Sequence, residues 1–291
     1  MRWEKSSDEG VFLKKLVTLY GAFWIIVAIW LTSGSNLLAQ APVEDTSITL
    51  QSEAFELEVI RLTNLERTSR GLPPLRLNSN LTDAARAHNQ DMINNDFFDH
   101  TGSDGSDPWD RACDHGYTPY GWGDCYVGEN IAAGYTTPSD VVAGWMSSQG
   151  HRANILNPEY REIGVGHNTG GNWGNYWTMN LGAQPNVLPV FINNDANQTF
   201  FNQVTLTLTQ EDVSNWGSIG SITGVQLSEN PSFAGVTWQS WSQPILFTLS
   251  PGSGLKTVYV RFTDGTNQVT SSDSIILGDL GPVAYLPIIQ R

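Results

Sequence analysis

Residues 145–157 read WMSSQGHRANILN and carry the strongest structural signal in the chain. Two upstream segments have the same character, Phe98-Asp99-His100-Thr101 and Gly128-Glu129-Asn130-Ile131-Ala132. Each of the three segments places one ionisable side chain, His100, Glu129 or His151, among apolar or small residues. If the fold brings these three groups together, they form either a metal site or a polar cleft, and this alternative decides the function.

The overall charge excludes one class of partner. The chain has 291 residues, enough for two modest domains, and a formal net charge of −14 at pH 7. Such a surface repels nucleic acid and anionic lipid, and no basic patch interrupts it. We therefore expect no nucleic-acid partner.

The N-terminal residues carry the pattern of an export signal. An apolar run from Leu16 to Leu31 follows Lys14 and Lys15, and a basic flank before an apolar core is typical of such signals. We interpret residues 1–41 as a signal peptide or an N-terminal anchor, and the length of the run favours cleavage. In either case the bulk of the chain lies outside the cytoplasm, and membrane contact occurs only through an anchor.

The two cysteines, Cys113 and Cys125, lie 12 positions apart around a loop rich in Gly and Tyr. In an exported protein this spacing favours a disulfide that closes the loop. The alternative is a Cys/His metal site that includes His115, but a single cysteine pair gives little support for zinc.

Apolar periodicity places the first two helices. Residues 42–53 are polar and read as a linker. A helix follows, with apolar residues at helical spacing from Phe55 to Leu65, and it ends before Gly71-Leu72-Pro73-Pro74. A second helix begins near Asn80 and carries His88 on its apolar stripe, which indicates a core histidine rather than a ligand.

A third helix and two strands complete the first domain, residues 54–187. Thr137-Pro138-Ser139-Asp140 has a capping hydroxyl and a proline in the first turn, which predicts a helix start. Gly150 is the expected end of this helix, with His151 directly after it. Residues 163–166 and 176–181 alternate like paired strands. The pattern predicts a mixed α/β layer.

The sequence of residues 190–280 predicts a second domain that is an all-β sandwich. Short alternating runs recur there at regular intervals, separated by Gly-containing turns. The runs are 204–209, 236–238, 245–249, 257–262 and 274–277. Residues 281–291 form a C-terminal tail that is too short and proline-broken to span a membrane.

The ordered motifs of the first domain resemble the CAP superfamily (cysteine-rich secretory proteins, antigen 5 and pathogenesis-related class 1), also called SCP domains. The resemblance covers the first helix with Gly71-Leu72-Pro73-Pro74, the three cleft segments and the closing strands. It implies an α-β-α sandwich with a central cleft. The cleft carries two histidines and two acids, which hold a divalent cation such as zinc in some members.

Carried over residue by residue, the cleft consists of His100, Glu129 and His151, and Ser148 stands where a second acid often lies. His100, His151 and Glu129 are the candidate metal ligands. The second domain resembles the Ig-like modules of bacterial surface proteins, through Trp238, residues 247–252 and residues 256–262. The expected fold class is therefore α+β, a CAP-type sandwich followed by a smaller Ig-like sandwich.

The chemistry of the three residues leaves two interpretations open. Two imidazoles and one carboxylate are a minimal ligand set for catalytic zinc, with zinc or another divalent cation as the only cofactor to consider. The same residues also suit a hydrogen-bonded network without metal, since no His-Glu-x-x-His pair fixes two ligands on one helix. Because Ser148 stands where a second acid often lies, a metal site here would also have one negative charge fewer. No nucleophile elbow is present, so we assign no catalytic residue.

The sequence thus favours a non-enzymatic extracellular or envelope module that binds a lipid-like molecule, a glycan or a protein. One alternative is a metal-assisted hydrolase of peptide or cell-wall bonds. Another is a structural protein for surface display.

Overall fold

A computed structural model of the chain describes residues 46–118, 125–209 and 218–279. The interpreted signal or anchor in 1–41 and the tail in 281–291 lie outside the described residues. Across these three ranges, no helix combines the length and the apolar content needed to cross a membrane.

The first region is a four-stranded sheet with helices packed on it. The sheet has the order β1-β3-β4-β2, with β1 parallel to β3 and the other pairs antiparallel. The strands are β1 (Arg76–Leu77), β2 (Val127–Ala133), β3 (Glu162–Gly170) and β4 (Gly174–Gly182). The helices are α1 (Thr46–Thr68), α2 (Ser79–Asn95), α3 (Pro108–Asp114), α4 (Pro138–Ser147) and α5 (Gln149–Ile155).

Helices cover both faces of this sheet. Because side chains alternate along a strand, one face of β3 and β4 packs with α1 and α4. That core contains Val59, Val141, Trp145, Ile163, Val165, Trp177 and Met179. On the other face, Met92 of α2 packs with Ile131 and Tyr176. The mixed α+β content expected from the sequence is confirmed.

A glycine sets the distance between α2 and the sheet. A Cβ added at Gly164 of β3 would overlap backbone atoms of Leu81 and Thr82 in α2. The helix can therefore approach the strand this closely only because position 164 has no side chain. This approach brings the C-terminal end of α2, and the loop that follows it, over the sheet.

Helix α1 begins earlier than the sequence indicates. Residues 46–53, assigned above to a linker, are helical. Polar contacts accompany this extension: Ser52 Oγ lies 3.1 Å from His167 Nδ1, and Glu56 accepts the His167 backbone N–H and pairs with Arg86. Helical turns that are held by such hydrogen bonds need no apolar residues at helical spacing, so the apolar periodicity did not predict the first turns of α1.

The helix expected to end at Gly150 is in fact two helices. α4 stops at Ser147, and Ser148 adopts an extended conformation (φ −88°, ψ 130°) before α5 begins at Gln149. Gly150 and His151 therefore lie in the first turn of α5. Gly150 has a right-handed conformation rather than a helix-ending left-handed one, so the break falls at Ser148 instead.

Residues 188–209 and 218–279 form two β-sheets around one apolar core. One sheet contains the strands Ile245–Thr248, Gln203–Leu208 and Val190–Ile192, in that order. The other contains Gln198–Thr199, Gln268–Leu277, Gly254–Thr263, Gly224–Ser228 and Gln239–Ser240, in that order. Leu206 and Ile245 of the first sheet share the core with Val260 and Phe262 of the second.

Numbered along the chain, these strands are β5 to β12, so the three-stranded sheet has the order β10-β7-β5 and the five-stranded sheet the order β6-β12-β11-β8-β9. The expected strands near 204–209, 245–249, 257–262 and 274–277 correspond to β7, β10, β11 and β12. The strand expected at 236–238 is absent, because Val236 closes a turn with its N–H on Phe233 O, and pairing begins only at Gln239. The Ig-like assignment stays a prediction.

Candidate functional site

Glu129 is the centre of the cleft. It lies on β2, an edge strand of the first sheet, and is 5% exposed. Its Oε1 lies 2.8 Å from His100 Nδ1, and its Oε2 accepts a hydrogen bond of 2.9 Å from Arg111 Nη2. Both carboxylate oxygens therefore have basic partners, which is what a buried charge requires.

His100 lies in the loop after α2, and its side chain is 49% exposed. Arg111 holds this loop in place: Nη2 donates to His100 O at 2.9 Å, and Nη1 donates to Ser106 O at 2.7 Å. One guanidinium thus fixes both the carboxylate and the backbone of the residue that pairs with it. The hydrogen bond to Glu129 raises the pKa of His100 above its ordinary value, against the opposing effect of burial.

Arg111 is a site residue that the sequence reasoning missed. It lies on α3, a helix that the sequence pattern did not predict. Asp107 and Asp110 form a capping box at the start of α3, and Pro108 occupies its first turn. The Asp-Pro-x-Asp pattern at 107–110 is a recognisable helix start and could have predicted this helix.

His88 lies behind the pair, fully buried in α2, as its place on the apolar stripe predicts. Its Nε2 is 3.0 Å from Asp99 O and 3.9 Å from Glu129 Oε1. Burial lowers the pKa of this imidazole, which outweighs the attraction of Glu129. A neutral His88 therefore supports the loop that carries His100.

Asparagines connect α5, and with it His151, to β2. Asn130 Nδ2 donates to His151 O at 3.1 Å. Asn154 Nδ2 donates to Glu129 O at 3.2 Å and to Asn130 Oδ1 at 3.0 Å. Neither asparagine was among the expected site residues, although each lies within one of the three cleft segments.

The structure brings His151 into electrostatic contact with His100. Burial lowers the pKa of His151, and the positive charge of His100 lowers it further. The two imidazoles thus have opposite tendencies, His100 towards the charged form and His151 towards the neutral one. Ser148 occupies the junction between α4 and α5, where its N–H donates to Trp145 O at 3.1 Å. Its place among the cleft residues stays a prediction.

The donor set does not fit the zinc or other divalent cation that the resemblance implies. Arg111 sits against one oxygen of Glu129 and supplies the positive charge that a cation would otherwise bring. Among the described residues, no group of three or more His, Cys, Asp or Glu side chains is arranged to hold a metal ion. The geometry is that of a hydrogen-bonded network.

The predicted disulfide between Cys113 and Cys125 is confirmed. It joins the end of α3 to the residue two positions before β2. His115, the possible third metal ligand, instead has its Nδ1 2.8 Å from Arg111 O. The disulfide therefore links the two elements that carry Arg111 and Glu129.

The first region is thus a layered α+β fold that holds a histidine–glutamate pair. The model of the CAP family, described as the cysteine-rich secretory protein family, matches residues 60–181. Residues 60–181 are therefore similar to this family.

Similar proteins come from several bacteria. The uncharacterized protein YkwD of Bacillus subtilis (strain 168) is 40% identical over 145 residues, which is 48% of this chain and 53% of that protein. The uncharacterized membrane protein YlbC of the same organism is 33% identical over 38% of this chain and 31% of its own length. The chain thus spans about half or less of these relatives.

A solved structure of an extracellular protein containing a SCP domain, from Bacillus anthracis str. Ames, shares 26% identity with this chain. The match covers 50% of this chain and 45% of that one, with a TM-score of 0.42.

Proposed function

We propose that this chain is an exported, non-enzymatic module that binds a ligand in the cleft around His100, Glu129 and His151. The observation that carries the proposal is the double engagement of Glu129. Its two oxygens accept hydrogen bonds from His100 and Arg111, so its charge is already compensated. A carboxylate held in this way is poorly suited to act as a general base, because a base must accept a proton from the substrate.

The same geometry indicates what the cleft offers to a ligand. His100 uses Nδ1 towards Glu129, which leaves Nε2 as the second ring nitrogen of a half-exposed side chain. Protonated imidazole donates from both nitrogens, and the raised pKa of His100 favours that form. The cleft therefore suits a ligand with a hydrogen-bond acceptor, such as a glycan hydroxyl, a lipid headgroup or a protein carbonyl.

Location outside the cytoplasm is part of the proposal. The disulfide between Cys113 and Cys125 requires an oxidising compartment to persist. The basic flank and apolar run near the N-terminus supply the route of export.

The test is a binding screen of the purified chain against immobilised glycans, lipid vesicles and extracellular proteins. We expect a ligand whose binding is weakened in both His100→Ala and His151→Ala, and not in the control His115→Ala. Binding that is equal in all four proteins would refute the cleft as the site. If only removal of residues 190–291 abolished binding, the chain would act in surface display instead.

The same preparation separates binding from hydrolysis. It is incubated with peptide and peptidoglycan substrates, with and without added zinc, beside Glu129→Gln. We expect no product in any arm. Product formation that depends on zinc and disappears in Glu129→Gln would overturn the proposal in favour of a metal-assisted hydrolase.

A further inference from the structure

A second cavity lies away from the His100 cleft, between α1 and the C-terminal sheets. Its volume is about 880 Å³, within the range of small-molecule sites, and such sites occur preferentially between domains. One wall consists of α1 and β1. The other consists of β5, the loop at 193–197 and Asp273 of β12.

The α1 wall is an apolar stripe with one charged pair. Leu57, Arg61 and Leu65 recur every fourth residue, so they align along one side of the helix. Leu57 is 56% exposed and Leu65 is 51% exposed, so their apolar surface is available to an occupant of the groove. Arg61 is already paired with Glu58 at 2.6 Å.

The opposite wall carries two carboxyl groups, Asp195 and Asp273. Asp195 is an exposed residue whose carboxyl group is partly desolvated, and this desolvation, followed by the negative charge of Asp273, raises its pKa to about 6. Loss of water also raises the pKa of Asp273, although its Oδ2 accepts the Ile192 N–H at 2.7 Å. Arg76 is the cation that acts on both carboxyls, and its Nη2 also donates to Ser272 O at 3.2 Å.

The charges that line the groove do not balance. Glu58 and Arg61 neutralise each other, which leaves Asp195 and Asp273 against the single charge of Arg76. One further positive charge would balance this wall. A bare metal ion is a poor occupant, because Arg76 would repel it and the leucines of α1 offer it no oxygen ligands.

The carboxylate wall is rigidly built. Asn193 N–H donates to Thr205 O at 2.8 Å, and Thr205 N–H donates to Asn193 Oδ1 at 2.9 Å. These two hydrogen bonds tie the loop before Asp195 to β7. A site that is ordered before binding loses less entropy when the ligand arrives.

We propose that this groove binds an alkylammonium group, with the positive charge at Asp195 and Asp273 and the aliphatic chain along Leu57 and Leu65. Two sources supply this chemistry, a free aliphatic amine and a lysine side chain of a peptide. The groove is separate from the His100 cleft, so the proposal does not depend on the function assigned to that cleft.

The test uses n-hexylammonium as the probe and follows amide chemical shifts of the isotope-labelled full chain. We expect shifts at residues 193–195 and along α1, and much weaker binding of n-hexanol and n-hexanoate. Asp195→Asn should weaken n-hexylammonium binding by about tenfold, the usual loss for one charge-assisted hydrogen bond. The control Asp83→Asn, an exposed change on α2, should have no effect.

The pH dependence gives a second readout. Affinity should rise between pH 5 and pH 7.5, because Asp195 becomes charged through its pKa of about 6 while the amine stays protonated. Equal binding of n-hexanol, or shifts produced by Ca²⁺ and not by n-hexylammonium, would overturn the proposal. A comparison with N-acetyl-lysine methylamide assigns the source: the tighter binder of the two identifies a peptide side chain or a free amine.

Discussion

Arg67 is expected to be the most sensitive single position in the first region, which contains β1 to β4 and α1 to α5. It is fully buried in α1 and donates to the backbone oxygens of Pro73, Ile155 and Asn157 at 3.0, 2.8 and 2.8 Å. Burial lowers its pKa to about 10, with Arg161 contributing. Its acceptors include the last residue of α5, so Arg67 anchors the helix that carries His151.

The change to test is Arg67→Met, which keeps the length of the side chain and removes the donors. Three buried carbonyls would lose a partner, at about 1 to 3 kcal/mol each, while relief from burying the guanidinium offsets several kcal/mol. We expect a net loss of about 3 kcal/mol in the free energy of unfolding. For a region of this size that corresponds to a fall in Tm of about 6 to 12 °C.

The assay is chemical denaturation at pH 7, with amide hydrogen exchange to follow α5 locally. The matched control is Arg61→Met on the same helix, whose side chain is 56% exposed and paired with Glu58. That change should cost less than about 1 kcal/mol. An Arg67→Met protein within 1 kcal/mol of the parent, with unchanged exchange in α5, would refute the assigned role of Arg67.

Three further predictions concern the cleft and the sheet. The pKa of His100 is raised, so its pairing with Glu129 stabilises the fold fully below about pH 6.5, the pKa of the unfolded state, and this stabilisation is lost as the pH rises through the folded pKa. In an NMR titration, Glu129→Gln should lower the titration midpoint of His100. An unchanged midpoint would contradict the pairing. Reduction of the disulfide should lower the free energy of unfolding by about 3 kcal/mol, because the unfolded chain gains loop entropy. The measurement is Tm with and without reductant. An unchanged Tm would contradict a stabilising role of the disulfide. Gly164→Ala should lower the free energy of unfolding by about 1 to 3 kcal/mol, because the added Cβ overpacks against α2. The control Gly150→Ala, whose Cβ meets open space, should leave the stability unchanged or raise it in chemical denaturation. Equal effects of the two changes would argue against the close approach of α2 to β3.

Local signals explain which elements were predictable. The start of α4 was correctly placed because Thr137 accepts the Asp140 N–H and Pro138 occupies the first turn, both readable from four residues. β7 and β11 were found because alternation is a property of neighbouring residues. The first turns of α1 were missed because their partners, His167 and Arg86, lie far along the chain.

The candidate site was only partly predictable for the same reason. The sequence predicted His100, Glu129 and His151 as site residues from their motifs, and it correctly predicted the cysteine pair from its spacing. It did not identify Arg111, whose guanidinium reaches both Glu129 and the backbone of His100. The helix expected to end at Gly150 instead breaks at Ser148 into α4 and α5. The position of such a break depends on how each helix packs against the sheet.

The sequence by itself determined the mixed α+β composition, the alternation of several strands and the disulfide pairing. These features follow from periodicity, capping and spacing, which are local properties of a chain. Only the tertiary structure decided that Arg111 compensates Glu129 and that Asp195 and Asp273 face α1 across a groove. Electrostatic partners act through space, and the fold alone brings together groups that lie more than 200 positions apart in the chain, such as α1 and Asp273.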